Sequence, residues 1–141
     1  MFEEYNEQQY KGQQLILPNE EWQRRLSPEV YNIMREYGTE PAYSSPLDRN
    51  TEIGVYVCAA CELQLFSSKA KFDSKTGWPS FSKPIDPSHV GYSIDDALLS
   101  TRVEVHCNRC EGHLGHVFND GPLPIGHRYC MNGLALEFVQ D

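Results

Sequence analysis

Along the chain the spacing of apolar positions changes once, near residue 54. Before that point Val30, Ile33, Met34 and Tyr37 stand at i, i+3, i+4 and i+7, the stripe of a helix with one buried face. Ser27-Pro28-Glu29 opens the stripe with a capping hydroxyl, a proline suited to the first turn and an acid for the helix's positive end. Gly38 is expected to close it in a left-handed conformation, which predicts a helix over 28–37. A shorter helix is expected just before it, capped by Asn19 with Glu20 and Glu21 in its first turn. Residues 39–50, with Pro41 and Pro46, read as an extended connector. From Gly54 the period is two. Val55 and Val57 flank Tyr56, Val103 and Val105 alternate with Arg102, Glu104 and His106, and Leu134, Leu136 and Phe138 alternate with Ala135, Glu137 and Val139. These are expected to be half-buried strands. Turn residues are dense between them, as at Lys75-Thr76-Gly77 and Asn119-Asp120-Gly121-Pro122. The pattern is mainly β with some helix: short helices, then an antiparallel β domain with long loops.

The chain has 141 residues, the size of one domain. Residues 1–18, rich in Gln and Glu, are expected to form a flexible arm, and 19–141 a single domain. The net charge of −8 argues against nucleic acid and against an anionic membrane surface as partners. No apolar run reaches the roughly 18 residues of a membrane span. The first residues, Met1-Phe2-Glu3-Glu4-Tyr5, have neither the basic start of a signal peptide nor the Arg-rich character of a mitochondrial presequence. A cytoplasmic location is expected, where a disulfide framework is not.

The five cysteines then change the picture: two C-x-x-C pairs and one cysteine alone. Cys58-Ala59-Ala60-Cys61 and Cys107-Asn108-Arg109-Cys110 each follow a predicted strand, where a tight knuckle can turn two sulfurs onto one ion. Four thiolates suit a tetrahedral, closed structural zinc site. The 45 residues between the pairs mean that such an ion would clip two distant hairpins. Iron held by the same four sulfurs is the alternative metal, and a thioredoxin-like redox pair the alternative chemistry.

Cys130 remains, in Arg128-Tyr129-Cys130-Met131-Asn132 before the last strand. On a strand Arg128, Cys130 and Asn132 share a face, so a guanidinium can lower the thiol pKa and an amide can hydrogen-bond nearby. The other reading of a lone cysteine is a small buried hydrophobe. His113 and His116 are candidates for a proton donor and a substrate clamp, with metal ligation or structural hydrogen bonding as alternatives. Trp78, in Gly77-Trp78-Pro79-Ser80-Phe81, reads as a loop tryptophan available for binding or as core.

The two C-x-x-C pairs, Gly77-Trp78-Pro79-Ser80-Phe81, the run from His113 through Gly115-His116-Val117-Phe118-Asn119-Asp120-Gly121-Pro122, and Arg128-Tyr129-Cys130-x-Asn132 together resemble the methionine-(R)-sulfoxide reductase family, B class. The likeness covers about residues 19–138. It implies two antiparallel β-sheets with amino-terminal helices and a structural zinc on Cys58, Cys61, Cys107 and Cys110. It implies that Cys130 attacks the sulfoxide sulfur as a thiolate favoured by Arg128, and that Trp78 packs on the substrate methyl group. By the same resemblance His116 and His113 position and protonate the oxygen, Asn132 and Asp120 orient them, and Phe118 lines the site. The implied substrates are oxidised proteins or peptides carrying methionine-(R)-sulfoxide, with the R preference and a repair role coming from the resemblance alone. Many relatives carry a resolving cysteine two residues before the tryptophan, where this chain has Thr76. With four sulfurs on zinc and one nucleophile, none is spare. An external thiol such as thioredoxin, glutaredoxin or a small thiol is therefore expected to reduce the sulfenic acid, on a monomer. Two competing readings are a non-catalytic zinc-scaffolded binding module and a zinc hydrolase using His113 or His116 on an open metal.

Overall fold

The structure, a computed structural model, describes residues 1–141. Its helices are α1 (Asn19–Arg25) and α2 (Pro28–Arg35). Nine strands follow: β1 (Gly54–Cys58), β2 (Gln64–Ser67), β3 (Lys71–Phe72), β4 (Ser80–Phe81), β5 (Val90–Asp95), β6 (Arg102–Cys107), β7 (His113–Phe118), β8 (Arg128–Met131) and β9 (Leu136–Gln140). They make two antiparallel sheets, as expected: three strands in the order β2-β1-β9 and six in the order β3-β4-β8-β7-β6-β5.

An aromatic core joins the sheets. Phe66 of β2 stacks on Phe81 of β4 with ring centroids 4.4 Å apart, and Tyr56 of β1 meets the same ring edge-on at 5.0 Å. Tyr129 of β8 closes the cluster 5.9 Å from Phe66. Tyr56 is therefore inside rather than opposite the buried valines, its hydroxyl accepting a hydrogen bond from Asn50 Nδ2 at 2.8 Å. A tyrosine in a core needs such a partner, and the connector supplies it. The last strand also starts later than the alternation predicts. Gly133–Ala135 form a 3-10 turn, and Leu134 lies partly exposed outside the ladder.

Ser27 caps α2 as expected, its hydroxyl accepting from Val30 N. Ile33 and Met34 of the stripe are buried, but the helix stops at Arg35. The left-handed residue is Tyr37, φ 58°, not Gly38. Gly38 N donates to Asn32 O at 3.0 Å and closes the helix end. A Cβ there would displace the exposed Asn32 side chain and lie 3.0 Å from the Asn32 backbone oxygen. Asn19 is the first helical residue rather than a cap. Pro18 occupies the cap position, and no side chain bonds there. Trp22 of α1 is wholly buried.

Residues 1–18, where the sequence predicts a flexible arm, place Phe2 and Tyr5 against Tyr92 of β5, with centroids 5.7 and 5.3 Å away. Leu15 N donates to Arg109 O at 2.8 Å beside the second C-x-x-C pair.

Gly77 precedes Trp78 at φ 97°, and a Cβ there would press on Ala42 and the Tyr43 backbone. Gly126 sits at φ 83° with open space around it. Gly77→Ala should therefore cost about 2–3 kcal/mol, strain and collision together, and Gly126→Ala only about 1 kcal/mol from strain. Urea denaturation of the two variants checks the order.

Candidate functional site

Two rows of side chains cross one face of the six-stranded sheet. The ladder sets Ser93 opposite Glu104, Glu104 opposite His116, His116 opposite Cys130, and Cys130 opposite Ser80. Two residues along, Asp95 pairs with Arg102 and Phe118 with Arg128. Antiparallel partners point to the same face, so polar groups from five strands converge where the hydrophobic alternation suggests a wetted surface. The middle of the first row is covered instead, while Ser93 at its end stays exposed. Glu104 is only 4% exposed, and His113, His116 and Asn132 are also buried. Over the row lies a cavity of about 230 Å³, lined by Thr76, Trp78, His116, Phe118, Arg128 and Cys130, with Thr39, Arg102, Gly115, Met131 and Asn132 completing it.

Each histidine is held by a buried or half-buried carboxylate. His116 Nε2 donates to Asp95 Oδ2 at 2.7 Å, and that oxygen also accepts from Arg102 at 3.1 Å. His113 Nδ1 donates to Glu104 Oε2 at 2.8 Å, while His106 Nδ1 and the Ser93 hydroxyl use the other Glu104 oxygen. Burial alone would raise the Glu104 pKa, but the bonds from His106, His113 and Ser93 outweigh it and hold it at about 2. The Asp95 carboxyl is lowered first by the Ala97 backbone N–H and then by His116. His116 is lowered, because burial disfavours its charged form more than Asp95 favours it.

Cys130 is partly exposed. Burial pushes its thiol above the ordinary value, and Arg128 and Thr76 only partly offset this. The guanidinium lowers the thiol, as the sequence suggests, but burial is the larger influence. Arg128 is already engaged: it makes a two-pronged pair with Asp120 at 2.8 and 3.1 Å and lies 4.4 Å over the Phe118 ring.

The other predicted residues divide. Trp78 lines the cavity, its indole N–H donating to Glu40 O at 3.0 Å. Asn132 also lines it, but its amide is occupied by main chain, donating to Leu114 O and accepting from Glu40 N. Asp120 reaches the site only through Arg128. His113 stands behind the cavity, its ring 5.4 Å from His116 and 5.3 Å from Tyr37. Sequence reasoning misses Asp95, Arg102 and Glu104. A β-bulge between Val105 and His106 shifts the β6–β7 hairpin by one residue, so a register counted outward from the second C-x-x-C knuckle sets Glu104 opposite Gly115 and does not find it.

Cys58, Cys61, Cys107 and Cys110 form a second centre, buried, with all four sulfurs within 4.8 Å of one another. Cys58–Cys110 and Cys61–Cys107 are 3.7 and 3.5 Å apart. Sulfurs about 2.3 Å from a tetrahedral ion stand about 3.8 Å apart, so the donors fit a metal without rearrangement. The knuckles share one geometry. Glu62 N donates to Cys58 O and Glu111 N to Cys107 O at 2.9 and 2.8 Å. Both glutamates are left-handed, φ 66° and 65°. The crowded thiols split in proton affinity, Cys61 and Cys110 downward and Cys58 and Cys107 upward, through bonds to one another. A divalent ion would deprotonate all four.

Fold and site together define a β protein tied by a four-cysteine metal-binding centre, with a separate cavity built on a single cysteine and a carboxylate-held histidine. The SelR domain matches residues 26–140, and the chain belongs to that family. It is 51% identical over 122 residues to the peptide methionine sulfoxide reductase MsrB of Methanosarcina barkeri, covering 86% of each chain. It is 47% identical to the protein of that name from Leptospira interrogans, over 87% of this chain and 94% of that one. It is 48% identical to human methionine-R-sulfoxide reductase B2, mitochondrial, over 89% of this chain and 72% of the human one.

The low Glu104 pKa has a stability consequence. Its folded value, about 2, lies below the ordinary 4.5, so the contribution is complete above pH 4.5 and lost as pH falls toward 2. The shift corresponds to about 3 kcal/mol. Glu104→Gln should lower stability near neutrality and flatten the part of the acid dependence that Glu104 supplies, read as the difference in urea midpoints between the two proteins from pH 6 to pH 3.

Proposed function

We propose that this chain reduces methionine-(R)-sulfoxide to methionine, in proteins or peptides and as the free amino acid, with Cys130 as nucleophile. The observation that carries the reading is the pairing of Cys130 with His116 on the floor of a cavity walled by Trp78 and Phe118. A sulfoxide has a methyl on one side of sulfur and a polar oxygen on another. The indole suits the methyl, and the histidine and guanidinium side suits the oxygen. The names of the similar proteins support the same reaction, including its R selectivity, and disfavour a non-catalytic binding module.

The reaction is written as attack of the Cys130 sulfur on the sulfoxide sulfur, which breaks the S–O bond and passes oxygen to cysteine. Cys130 is oxidised by two electrons to the sulfenic acid and the substrate sulfur is reduced by two. The thiol proton ends on the transferred oxygen. His116 handles that proton, Arg128 holds negative charge near sulfur, Phe118 and Trp78 frame the side chain, and Asp120 restrains Arg128. His113 supports His116 from behind, and Asn132 fixes the connector that presents Glu40 to Trp78.

A thiol reductant completes the cycle. The only cysteine outside the four-sulfur centre is Cys130, and Thr76 stands in its cavity. The sulfenic acid is therefore reduced by an external dithiol such as thioredoxin or glutaredoxin, or by a small thiol, with loss of water and passage through a mixed disulfide. The metal is zinc and structural: four cysteines saturate its shell, so it ties the sheets and leaves the chemistry to Cys130. No helix is long and apolar enough to cross a membrane. A cytoplasmic monomer, with residues 19–141 as its domain and 1–18 as an appended arm, is part of the same reading.

Dithiothreitol-driven turnover of each epimer of a methionine-sulfoxide peptide tests it. The R epimer alone should be reduced, and Cys130→Ser should abolish turnover while keeping about one zinc per chain by elemental analysis. Zinc-loaded, folded protein that reduces neither epimer would overturn the reductase reading. Retention of zinc by Cys58→Ser with unchanged stability would overturn the structural role of the metal.

A further inference from the structure

We infer that Asp95 is a positioning residue for the reaction, fixing His116 with its proton on Nε2 so that Nδ1 is the nitrogen that exchanges a proton with Cys130 and the sulfoxide oxygen. The catalytic part rests on the reductase reading. The tautomer part does not.

An ionised carboxylate only accepts hydrogen bonds. Asp95 Oδ2, 2.7 Å from His116 Nε2, therefore requires the proton on that nitrogen. Nothing in the protein bonds Nδ1, and it is not among the buried polar atoms left without a partner. Asp95 is itself restrained. Its other oxygen accepts from Ala97 N at 3.0 Å, and Arg102 donates to Oδ2 at 3.1 Å. Because Cys130 lies directly across the ladder from His116, carboxylate, imidazole and thiol form a chain from β5 to β8. The buried thiol is protonated at rest and needs a base. Neutral His116 takes the Cys130 proton at Nδ1, thiolate attacks sulfur, and the proton returns from Nδ1–H to the departing oxygen. One proton and two electrons are conserved, and no outside reactant enters. Other charged and titratable groups face His116 on every side: Arg102 and Glu104 from β6, His113 on its own strand, and Cys130 and Arg128 from β8.

Asp95→Asn tests this while keeping an oxygen for the Ala97 N–H. Nitrogen-15 shifts of the His116 ring, assigned by comparison with His116→Gln, should show the Nε2–H form in the native protein and loss of its dominance in Asp95→Asn. A native Nδ1–H form would overturn the inference whatever the activity. In turnover, kcat should fall about 10- to 100-fold with KM changed less than about threefold. The His116 limb of the pH profile should move to lower pH, because the carboxylate that favours imidazolium is gone. Asp95→Glu should recover part of kcat. Unchanged kcat and pH limb in Asp95→Asn, where His116→Gln is impaired, would also overturn it. A native protein with the Nε2–H tautomer but no turnover would sink the reductase reading and leave the positioning geometry standing.

Discussion

Four sulfurs within 4.8 Å of one another are the constraint on which the molecule is organised. As bare thiols they would crowd weak donors in a dry space. Around one divalent ion they become a clip whose apparent free energy, about 10–16 kcal/mol in small zinc peptides, matches the net stability of a whole domain. One pair ends β1 in the three-stranded sheet and the other ends β6 in the six-stranded sheet, so the clip sets how the sheets meet. It also fixes the turn from β6 into β7. His113 begins β7 just past Cys110, and a bulge between Val105 and His106 then shifts the hairpin into the register that sets Glu104 against His116, while β8 sets Cys130 against His116 on the other side.

That register puts ionised groups on a covered sheet face, which costs free energy unless every charge is paired. The pairing is nearly complete. Glu104 takes Ser93, His106 and His113, Asp95 takes His116 and Arg102, and Asp120 takes Arg128. Cys130 alone has no charge partner to itself, because the nearest guanidinium is shared with Asp120. A thiol raised by burial follows. In the proposed reaction the resting site therefore holds a protonated Cys130 thiol beside a neutral imidazole, and reactivity depends on moving one proton a short distance rather than on a standing thiolate.

The sequence made some elements legible and hid others for identifiable reasons. Ser27-Pro28 and the stripe behind it announce α2, and the two C-x-x-C pairs announce the metal centre, because cap chemistry and ligand spacing are local. The end of α2 was less readable. Left-handed backbone is cheapest for glycine, so Gly38 attracts the assignment, yet Tyr37 turns the chain in that conformation and Gly38 N then closes on Asn32 O. Arg102 and Glu104 alternate with valines as a solvent-facing edge would. Only the non-local cover over that face buries Glu104 and leaves Arg102 at the cavity. Tyr5 is hidden for the same reason, since its partner Tyr92 lies 87 positions away in a strand that the arm's composition does not mention.

Thr76 shows how one position can redirect the rest of a cycle. Its hydroxyl is tied to Ser74 at 2.8 Å, and Ser74 to Ser80 at 2.7 Å, directly across the ladder from Cys130. This small hydroxyl chain gives Cys130 a polar neighbour that can bond to it but cannot form a disulfide with it. The four-sulfur centre contains every other cysteine in the chain, and drawing one out would break the link between the two sheets. An oxidised Cys130 is thus left with no partner inside the protein that could reduce it without dismantling the site. In the proposed cycle regeneration therefore comes from outside through the open mouth of the cavity, and the partial exposure of Cys130 allows it.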